Sequence, residues 1–298
     1  MTWFKQASFY CLGASVDSAL LTAALEKRPF KQPAGLDWFG EGWGEIASFH
    51  SSPVLGIQQR NFVRLKREDK VLPPAVIRKA VDTKVAEIEA KELRTVGRKE
   101  KLALKEQITD DLLPRAFTRQ SSLMGYADNT SKILVVASAT PARAEGFVSK
   151  LREALPPFPA TLPRTRIAPH TAMTDWLAAG AAPQGFDLDS DAVLRDSGES
   201  GAQVRVSRID LTADEVRQHI ATGKQVARIG LIWQEKIRFQ LTDTLQLRRI
   251  QFLDLLQDQA SQTGDDREAL LAGTLTIMSD ELGHLIADVV RALGGLED

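Results

Sequence analysis

Residues 73–114 constrain the fold most strongly, because their pattern is typical of two surface helices joined by a turn. In the first half, apolar residues recur every three or four positions and charged residues fill most of the others. The apolar positions are Ile77, Val81, Val85 and Ile88. Gly97 interrupts this run, and a second helical run stops at Pro114. Two helices around a short glycine-containing turn form a helical hairpin, so we predict a charged hairpin domain over residues 73–122.

Strand-like and helix-like segments flank the hairpin on both sides. The segments are a strand over 3–10, a helix over 18–27, a buried strand over 133–137 and a helix over 140–155. The repeated order predicts an α+β fold with a duplicated strand-helix-strand core, into which the hairpin is inserted. We assign this core to a discontinuous central domain, residues 1–72 and 123–170.

The remaining residues, 171–298, are predicted to form a C-terminal α+β domain. Its expected elements are helices over 172–179 and 213–222 and a long helix over 269–293. Between them, residues 225–233, 236–241 and 245–252 are expected to form three strands, or two strands and the start of a helix. Two segments rich in glycine have weaker patterns: residues 35–44 are expected to form a loop, and residues 187–201 a loop or an edge hairpin.

Composition excludes several classes of protein. Hydrophobic residues make up 43% of the 298 and charged residues 26%, which is typical of a globular chain and not of a disordered one. The single cysteine, Cys11, excludes an internal disulfide framework and a multi-thiolate zinc site. No run of about 18 uncharged apolar residues is present, and the first residues are a poor match to a secretory signal. We therefore expect a cytoplasmic protein without membrane contact.

The charges are segregated along the chain although their sum is close to zero. The 38 basic and 39 acidic residues give a net charge of −1. Residues 60–105 contain 14 Lys and Arg against 7 Asp and Glu, whereas residues 254–298 contain 2 against 10. A second basic block spans residues 224–249, with 6 against 2. Such a chain can present a positive face to a polyanion, or the blocks can be ordinary solvated surfaces.

The search for catalytic motifs is negative. The sequence has no Walker-type phosphate loop, no dinucleotide fingerprint, no His-Glu-x-x-His zinc motif and no Gly-x-Ser-x-Gly elbow. Its four histidines stand far apart and share no ligand spacing. We predict neither a metal site nor catalytic residues.

Two acidic patterns keep a metal-dependent nuclease open as an alternative. Asp187, Asp189 and Asp191 begin like a calcium loop, but Ala192 stands where such a loop needs glycine. Separately, a carboxylate–carboxylate–lysine set resembles that of some nucleases. Its members are Asp82, Glu89 and Lys91. A seven-residue spacing separates the two carboxylates by about 10 Å along a helix, so a solvated helix face is favoured.

The basic residues instead predict binding to a phosphate backbone without sequence preference. Lys236 and Arg238 are expected to share a sheet face, because side chains alternate along a strand. The predicted DNA contacts within the basic groups are Lys66, Arg67, Lys70, Arg98, Lys99, Lys101, Arg115, Arg119, Lys224, Arg228, Lys236, Arg238, Arg248 and Arg249. A protein-interaction module that never contacts DNA is the other alternative.

Several stretches resemble the RdgC family of bacterial recombination-associated proteins. The distinctive ones are Gly97-Arg-Lys-Glu-Lys and Leu112-Leu-Pro-Arg-Ala-Phe, and further matches run from Trp3-Phe-Lys to Ala292-Leu-Gly-Gly in the family's order. The resemblance implies a ring-shaped homodimer with a basic inner wall that encircles double-stranded DNA. It further implies restraint of RecA-promoted strand exchange, a nucleoid location, no enzymatic activity and no cofactor. By the same resemblance, Phe117 lies at a dimer contact and Arg208 lies near the DNA.

Overall fold

The computed structural model describes residues 3–196, 201–264 and 266–297. These residues form a mixed α+β structure with eight α-helices and two antiparallel sheets. The chain divides into two compact units. The first contains Met1–Leu21, Leu55–Phe62 and Met124–Asp298, and the second contains Thr22–Val54 and Val63–Leu123. The three-domain division and the duplicated core remain predictions.

The larger sheet has seven strands in the order β2-β4-β5-β6-β1-β7, with β3 paired to β4. The strands are β1 (Ser8–Leu12), β2 (Phe39–Gly44), β3 (Val54–Ile57), β4 (Arg60–Val71), β5 (Phe117–Asp128), β6 (Ile133–Val136) and β7 (Ala160–Thr161). All four residues of β6 are buried, as the apolar run predicts for a central strand. Strand β6 pairs antiparallel with β1, Tyr10 lying opposite Leu134.

The smaller sheet lies within the first unit and has the order β12-β11-β10-β8-β9. Its strands are β8 (Phe186–Asp196), β9 (Gln203–Ser207), β10 (Lys224–Trp233), β11 (Ile237–Thr242) and β12 (Leu247–Phe252). Three strands between residues 225 and 252 are thus confirmed, and the alternative of two strands and the start of a helix is wrong. Residues 187–196 and 203–207 form the two strands of a hairpin at the sheet edge. Of the two structures expected for residues 187–201, a loop or an edge hairpin, the edge hairpin is confirmed. Residues 197–200 lie outside the described part of the chain.

The helices follow the predicted apolar periodicity closely. They are α1 (Ser18–Glu26), α2 (Pro74–Glu92), α3 (Arg98–Leu112), α4 (Pro141–Ala154), α5 (Pro169–Ala179), α6 (Asp214–Ala221), α7 (Asp254–Ser261) and α8 (Arg267–Ala292). Helices α2 and α3 are the predicted hairpin, and Ile77 and Val85 of its apolar stripe are buried. At the turn, Arg94 donates to both carboxylate oxygens of Glu100, at 2.7 Å each. Helix α7 has no counterpart among the predictions.

Residues 39–44 are a strand, so the expected loop over 35–44 is wrong for this part. The glycines of β2 are needed because the preceding chain passes close by. A Cβ atom at Gly40 would lie 2.0 Å from the Lys31 carbonyl oxygen, and one at Gly42 would lie 2.4 Å from that of Pro29. Glycine in a strand commonly marks such a close backbone approach.

A buried ion pair joins three elements of the first unit. The Nε atom of Arg60 in β4 lies 2.9 Å from Oδ2 of Asp128 at the end of β5, and its Nη2 atom lies 2.7 Å from Oδ1 of Asp280 in α8. The Asp128 side chain is fully buried and also accepts from the backbone N–H groups of Thr130 and Ser131. A buried charge needs such a complete set of partners.

Replacing Asp128 with alanine should therefore destabilise the protein strongly. The substitution leaves the Arg60 guanidinium buried with one half-exposed partner, so we expect a loss of about 3–5 kcal/mol in the free energy of unfolding in urea. Asp280→Ala, which removes the more exposed carboxylate, should cost about 1 kcal/mol or less. Equal losses from both variants would contradict this account of the network.

Candidate nucleic-acid interface

The smaller sheet buries one face and leaves the other open. Alternate residues of β10 and β11 are fully buried on the first face; these are Ile229, Leu231, Trp233, Ile237, Phe239 and Leu241. Since side chains alternate along a strand, Arg228 and Arg238 lie on the opposite face.

Strand pairing brings further arginines to that open face. Arg205 of β9 and Arg228 of β10 both lie opposite Val193 of β8. Gln240 of β11 lies opposite Arg248 of β12. Cross-strand partners share a face, so four strands each contribute one arginine to the same surface.

Irregular backbone adds two more arginines to this surface. Arg249 directly follows Arg248 and would point away from it in a regular strand, but its φ of +50° and a shift in register between β11 and β12 turn it towards Asp191. Arg208 has a φ of +58° and lines the same concavity as Arg205. We call these six residues the arginine face: Arg205, Arg208, Arg228, Arg238, Arg248 and Arg249.

The arginine face is crowded with positive charge. Burial lowers the pKa of the Arg228 guanidinium, and the neighbouring cations of Arg248, Arg205 and Arg249 lower it further. Asp191 opposes this shift without cancelling it. The like charges therefore repel one another in the protein without a bound anion.

Two carboxylates of β8 lie among the six arginines. Asp189 Oδ2 is 3.5 Å from Nε of Arg238, and Asp191 Oδ2 is 3.4 Å from Nη1 of Arg249. Gln240 also donates to Asp191, at 3.1 Å. Asp187, which lies opposite Ile232 of β10, is on the same face. Four of the six arginines, Arg205, Arg208, Arg228 and Arg248, have no ion-pair partner among the described residues.

Arg248 is held by the backbone and keeps unused hydrogen-bonding capacity. Its Nη2 atom donates to the Ala139 carbonyl oxygen at 3.3 Å, whereas its buried Nε atom has no partner among the described residues. The Oε1 atom of Gln240 is likewise buried without a donor in that part of the chain. Both atoms are buried, so a ligand or a water molecule could pair with them only if the surrounding side chains moved.

Lys236 lies away from the arginine face, so the expectation that it shares a sheet face with Arg238 is wrong. Lys236 precedes β11, after a turn in which Gln234 and Glu235 have positive φ angles. Its ammonium group lies 3.0 Å from Glu281 of α8. Lys224, at the start of β10, donates to the hydroxyl of Thr222 at 3.3 Å.

The predicted contacts on β4 have partners within the second unit. Lys66 lies 2.8 Å from Glu45 and lowers the pKa of that carboxyl by hydrogen bonding. Arg67 lies 2.7 Å from Asp69, and its guanidinium is 3.8 Å from the centre of the Phe39 ring. Lys70 is buried and donates to a backbone carbonyl oxygen at 2.5 Å.

The predicted contacts on the hairpin are more accessible. Exposed Arg98, Lys99 and Lys101 line a groove between α2 and α3, together with Trp38 and Ile77. Within the residues described, these three cations have no ion-pair partner. The exposed side chains of Arg115 and Arg119 flank Phe117, whose side chain is 88% exposed.

Sequence reasoning missed Arg205, although a signal was present. Arg205 stands between Val204 and Val206 in a strand-like run, and Val206 is buried. Alternation alone places Arg205 on the open side. Which other arginines share that side depends on strand order, which local periodicity does not provide.

The acidic sets considered for a metal have other partners. Glu89 accepts a hydrogen bond from the backbone N–H of Val96 at 2.9 Å, which ties α2 to the hairpin turn. Asp189 and Asp191 contact arginines, as described above. Over residues 3–196, 201–264 and 266–297, no three His, Cys, Asp or Glu side chains converge to form a metal site. No helix in these ranges has the length and apolarity needed to cross a bilayer.

Comparison with known proteins gives matches over nearly the whole chain. Residues 2–296 match the family described as "Putative exonuclease, RdgC". The "Recombination-associated protein RdgC" of Laribacter hongkongensis (strain HLHK9) is 52% identical over 98% of both chains. The proteins of the same name from Neisseria gonorrhoeae (strain NCCP11945) and Janthinobacterium sp. (strain Marseille) are 45% and 36% identical, covering 99% and 98% of this chain and 100% and 98% of their own.

The names of these relatives are not names of enzymes, whereas the family description includes an exonuclease. The resemblance seen in the hairpin stretches therefore extends over essentially the full length, and the chain belongs to the RdgC family.

Proposed function

We propose that this protein binds double-stranded DNA without sequence preference, through the arginine face. The observation that supports this most directly is the grouping of six arginines on one sheet surface, where four of them have no ion-pair partner among the described residues. Phosphate oxygens would relieve the repulsion around Arg228. Arginine suits this role because its planar guanidinium can donate two parallel hydrogen bonds to one phosphate.

Phosphate contacts carry no sequence information, so the binding should be insensitive to base sequence. The relatives' name, recombination-associated, fits a protein that acts on DNA. In our proposal the protein needs no cofactor and acts in the cytoplasm at the nucleoid. It limits RecA-promoted strand exchange by occupying the duplex.

We further propose that the protein is a homodimer that closes into a ring around DNA. Phe117 is our candidate for one of its contacts, because its side chain is 88% exposed and a buried aromatic anchor often supplies much of an interface's binding energy. In this arrangement residues 73–122 form the tip of each subunit, residues 1–72 and 123–170 the centre with its duplicated core, and residues 171–298 the base. The predicted DNA contacts beyond the arginine face remain part of this proposal.

A metal-dependent exonuclease is a second candidate, supported by the description of the family. Such an enzyme would need carboxylates that converge on a metal ion. The test of DNA binding therefore also follows the length of the DNA in the presence of magnesium and manganese.

Duplex affinity should fall steeply as salt is raised. Each phosphate contact contributes about −0.9 to the slope of log affinity against log salt, so Arg205→Gln combined with Arg238→Gln should lower the magnitude of the slope by about 2. Fluorescence anisotropy with duplexes of unrelated sequence measures both quantities. Arg291→Gln, on α8, is the matched control and should leave the slope unchanged.

An affinity that does not change with salt, or equal effects of the control and the double variant, would contradict DNA binding by this face. The exonuclease would be favoured if the unaltered protein shortened the end-labelled duplex with magnesium or manganese and the Glu89→Ala variant did not.

Removing one crowded cation should stabilise the free protein at low salt. Arg228→Met keeps much of the aliphatic stem and removes the charge. Because the group is partly exposed, we expect a gain of no more than about 0.5 kcal/mol in the free energy of unfolding at about 20 mM salt. At about 0.5 M salt the repulsion is screened, so the gain should be lost. Urea unfolding at both salt concentrations measures this. An equal loss of stability at low and high salt would show that repulsion is not the dominant effect.

Replacing Phe117 with serine should weaken the dimer, because a central aromatic anchor often supplies much of an interface's binding energy. We expect the dissociation constant to rise by at least about tenfold in analytical ultracentrifugation. Leu255→Ser, at another exposed apolar residue, is the control. An equally tight dimer for both variants would remove Phe117 from the interface.

A further inference from the structure

We propose that Asp189 and Asp191 are internal competitors for DNA phosphate, which hold Arg238 and Arg249 in the free protein and release them when DNA binds. This inference rests on the proposed DNA-binding function and adds to it a mechanism that limits affinity. The two carboxylates thereby keep a strongly cationic surface from binding DNA too tightly to move along it or leave it.

The geometry of the two ion pairs is that of exchangeable partners. The N–O distance is 3.5 Å for Arg238 with Asp189 and 3.4 Å for Arg249 with Asp191, so neither pair is a short ion pair. A strong bidentate pair has two parallel contacts at about 2.7–2.9 Å. Both guanidinium groups therefore keep most of their donors free for an incoming phosphate.

The relative depth of the groups supports the same exchange. The side chains of Asp189 and Asp191 are 16% and 25% exposed, whereas those of Arg238 and Arg249 are 48% and 60% exposed. A polyanion approaching the face meets the guanidinium groups first and the carboxylates beneath them. It then competes for the same nitrogen atoms and is repelled by the carboxylates at short range.

The backbone of β8 and β10 places the carboxylates at this depth. The register of the two strands shifts between Ile229 and Leu231, on either side of Gly230. A Cβ atom at Gly230 would lie 3.1 Å from both the Asp189 Cβ atom and the Asp191 carbonyl oxygen. A side chain at position 230 would require its neighbours to shift by a few tenths of an ångström, and glycine avoids this crowding beside both aspartates.

If the role of the carboxylates were purely structural, replacing aspartate with asparagine would leave the affinity for DNA unchanged. Asparagine has nearly the same shape as aspartate, and its carbonyl oxygen can accept from Arg249 or Gln240. At position 191 its amide can also donate to the Gln240 Oε1 atom, which lacks a donor in the described part of the protein. The fold should therefore tolerate Asp191→Asn, whereas the competition with phosphate disappears.

The test compares Asp189→Asn and Asp191→Asn with the unaltered protein, using fluorescence anisotropy with a labelled duplex of about 30 base pairs over a range of salt concentrations. Each variant should bind the duplex about threefold to tenfold more tightly, the range expected for removing one partly exposed charge pair. The gain of Asp191→Asn should be lost when it is combined with Arg249→Gln, because the released arginine is then absent.

Asp214→Asn is the matched control. It removes the same charge and breaks an aspartate–arginine contact of 3.7 Å, but it lies on α6. Its effect on affinity should be less than twofold. Thermal unfolding of each variant checks that the fold is retained.

The outcomes separate the two proposals. If the unaltered protein binds duplex DNA but neither asparagine variant binds more tightly than Asp214→Asn, the competition is overturned and the DNA-binding function stands. If tighter binding persists in the Arg249→Gln combination, the effect is one of net charge and the competition is again overturned. If the unaltered protein does not bind duplex DNA at any salt concentration, both proposals fail.

Discussion

The central constraint in this structure is the repulsion between arginine side chains. The pairing of five strands holds these side chains close together. The buried face of the sheet supplies apolar packing around Phe239 and Leu241, and that packing keeps the strands in register. The register then determines which cations must lie side by side. Arg228 shows the consequence, because burial and three neighbouring cations all disfavour its charged form.

Functional surfaces often retain interactions that oppose stability, and an anion-binding face is expected to do so. The two aspartates of β8 moderate the repulsion without neutralising it. On β4, by contrast, Lys66 and Arg67 each have a nearby carboxylate, which leaves less unbalanced charge around them. Basic residues on different strands thus differ greatly in how available they are to an external anion.

Local periodicity predicted the helices well. Helix α4 buries Ala144, Phe147, Val148 and Leu151, the positions that its helical spacing indicates, and Pro74 and Gly97 mark the starts of the hairpin helices. Each of these features depends on residues a few positions apart. The strand β2 was missed because Gly40 and Gly42 suggest a turn, and only the chain passing beside them explains why glycine is needed in a strand.

The candidate site was predictable only in part, for a related reason. Its basic residues could be found from composition, but their grouping depends on contacts between distant strands. Arg249 joins the arginine face through a positive φ angle and a register shift, and Lys236 is separated from Arg238 by the turn that precedes β11. Neither effect leaves a regular pattern in the sequence, whereas the alternation around Arg205 does.

The central claim is that DNA lies against the arginine face, and photo-cross-linking tests it most directly. A photoreactive amino acid placed at Ser207, an exposed position lining that concavity, is compared with the same group at Leu255 on α7. With bound duplex DNA, the account predicts strong cross-linking from position 207, lost at high salt, and only background from position 255. Background cross-linking from position 207 while the duplex is demonstrably bound would contradict it.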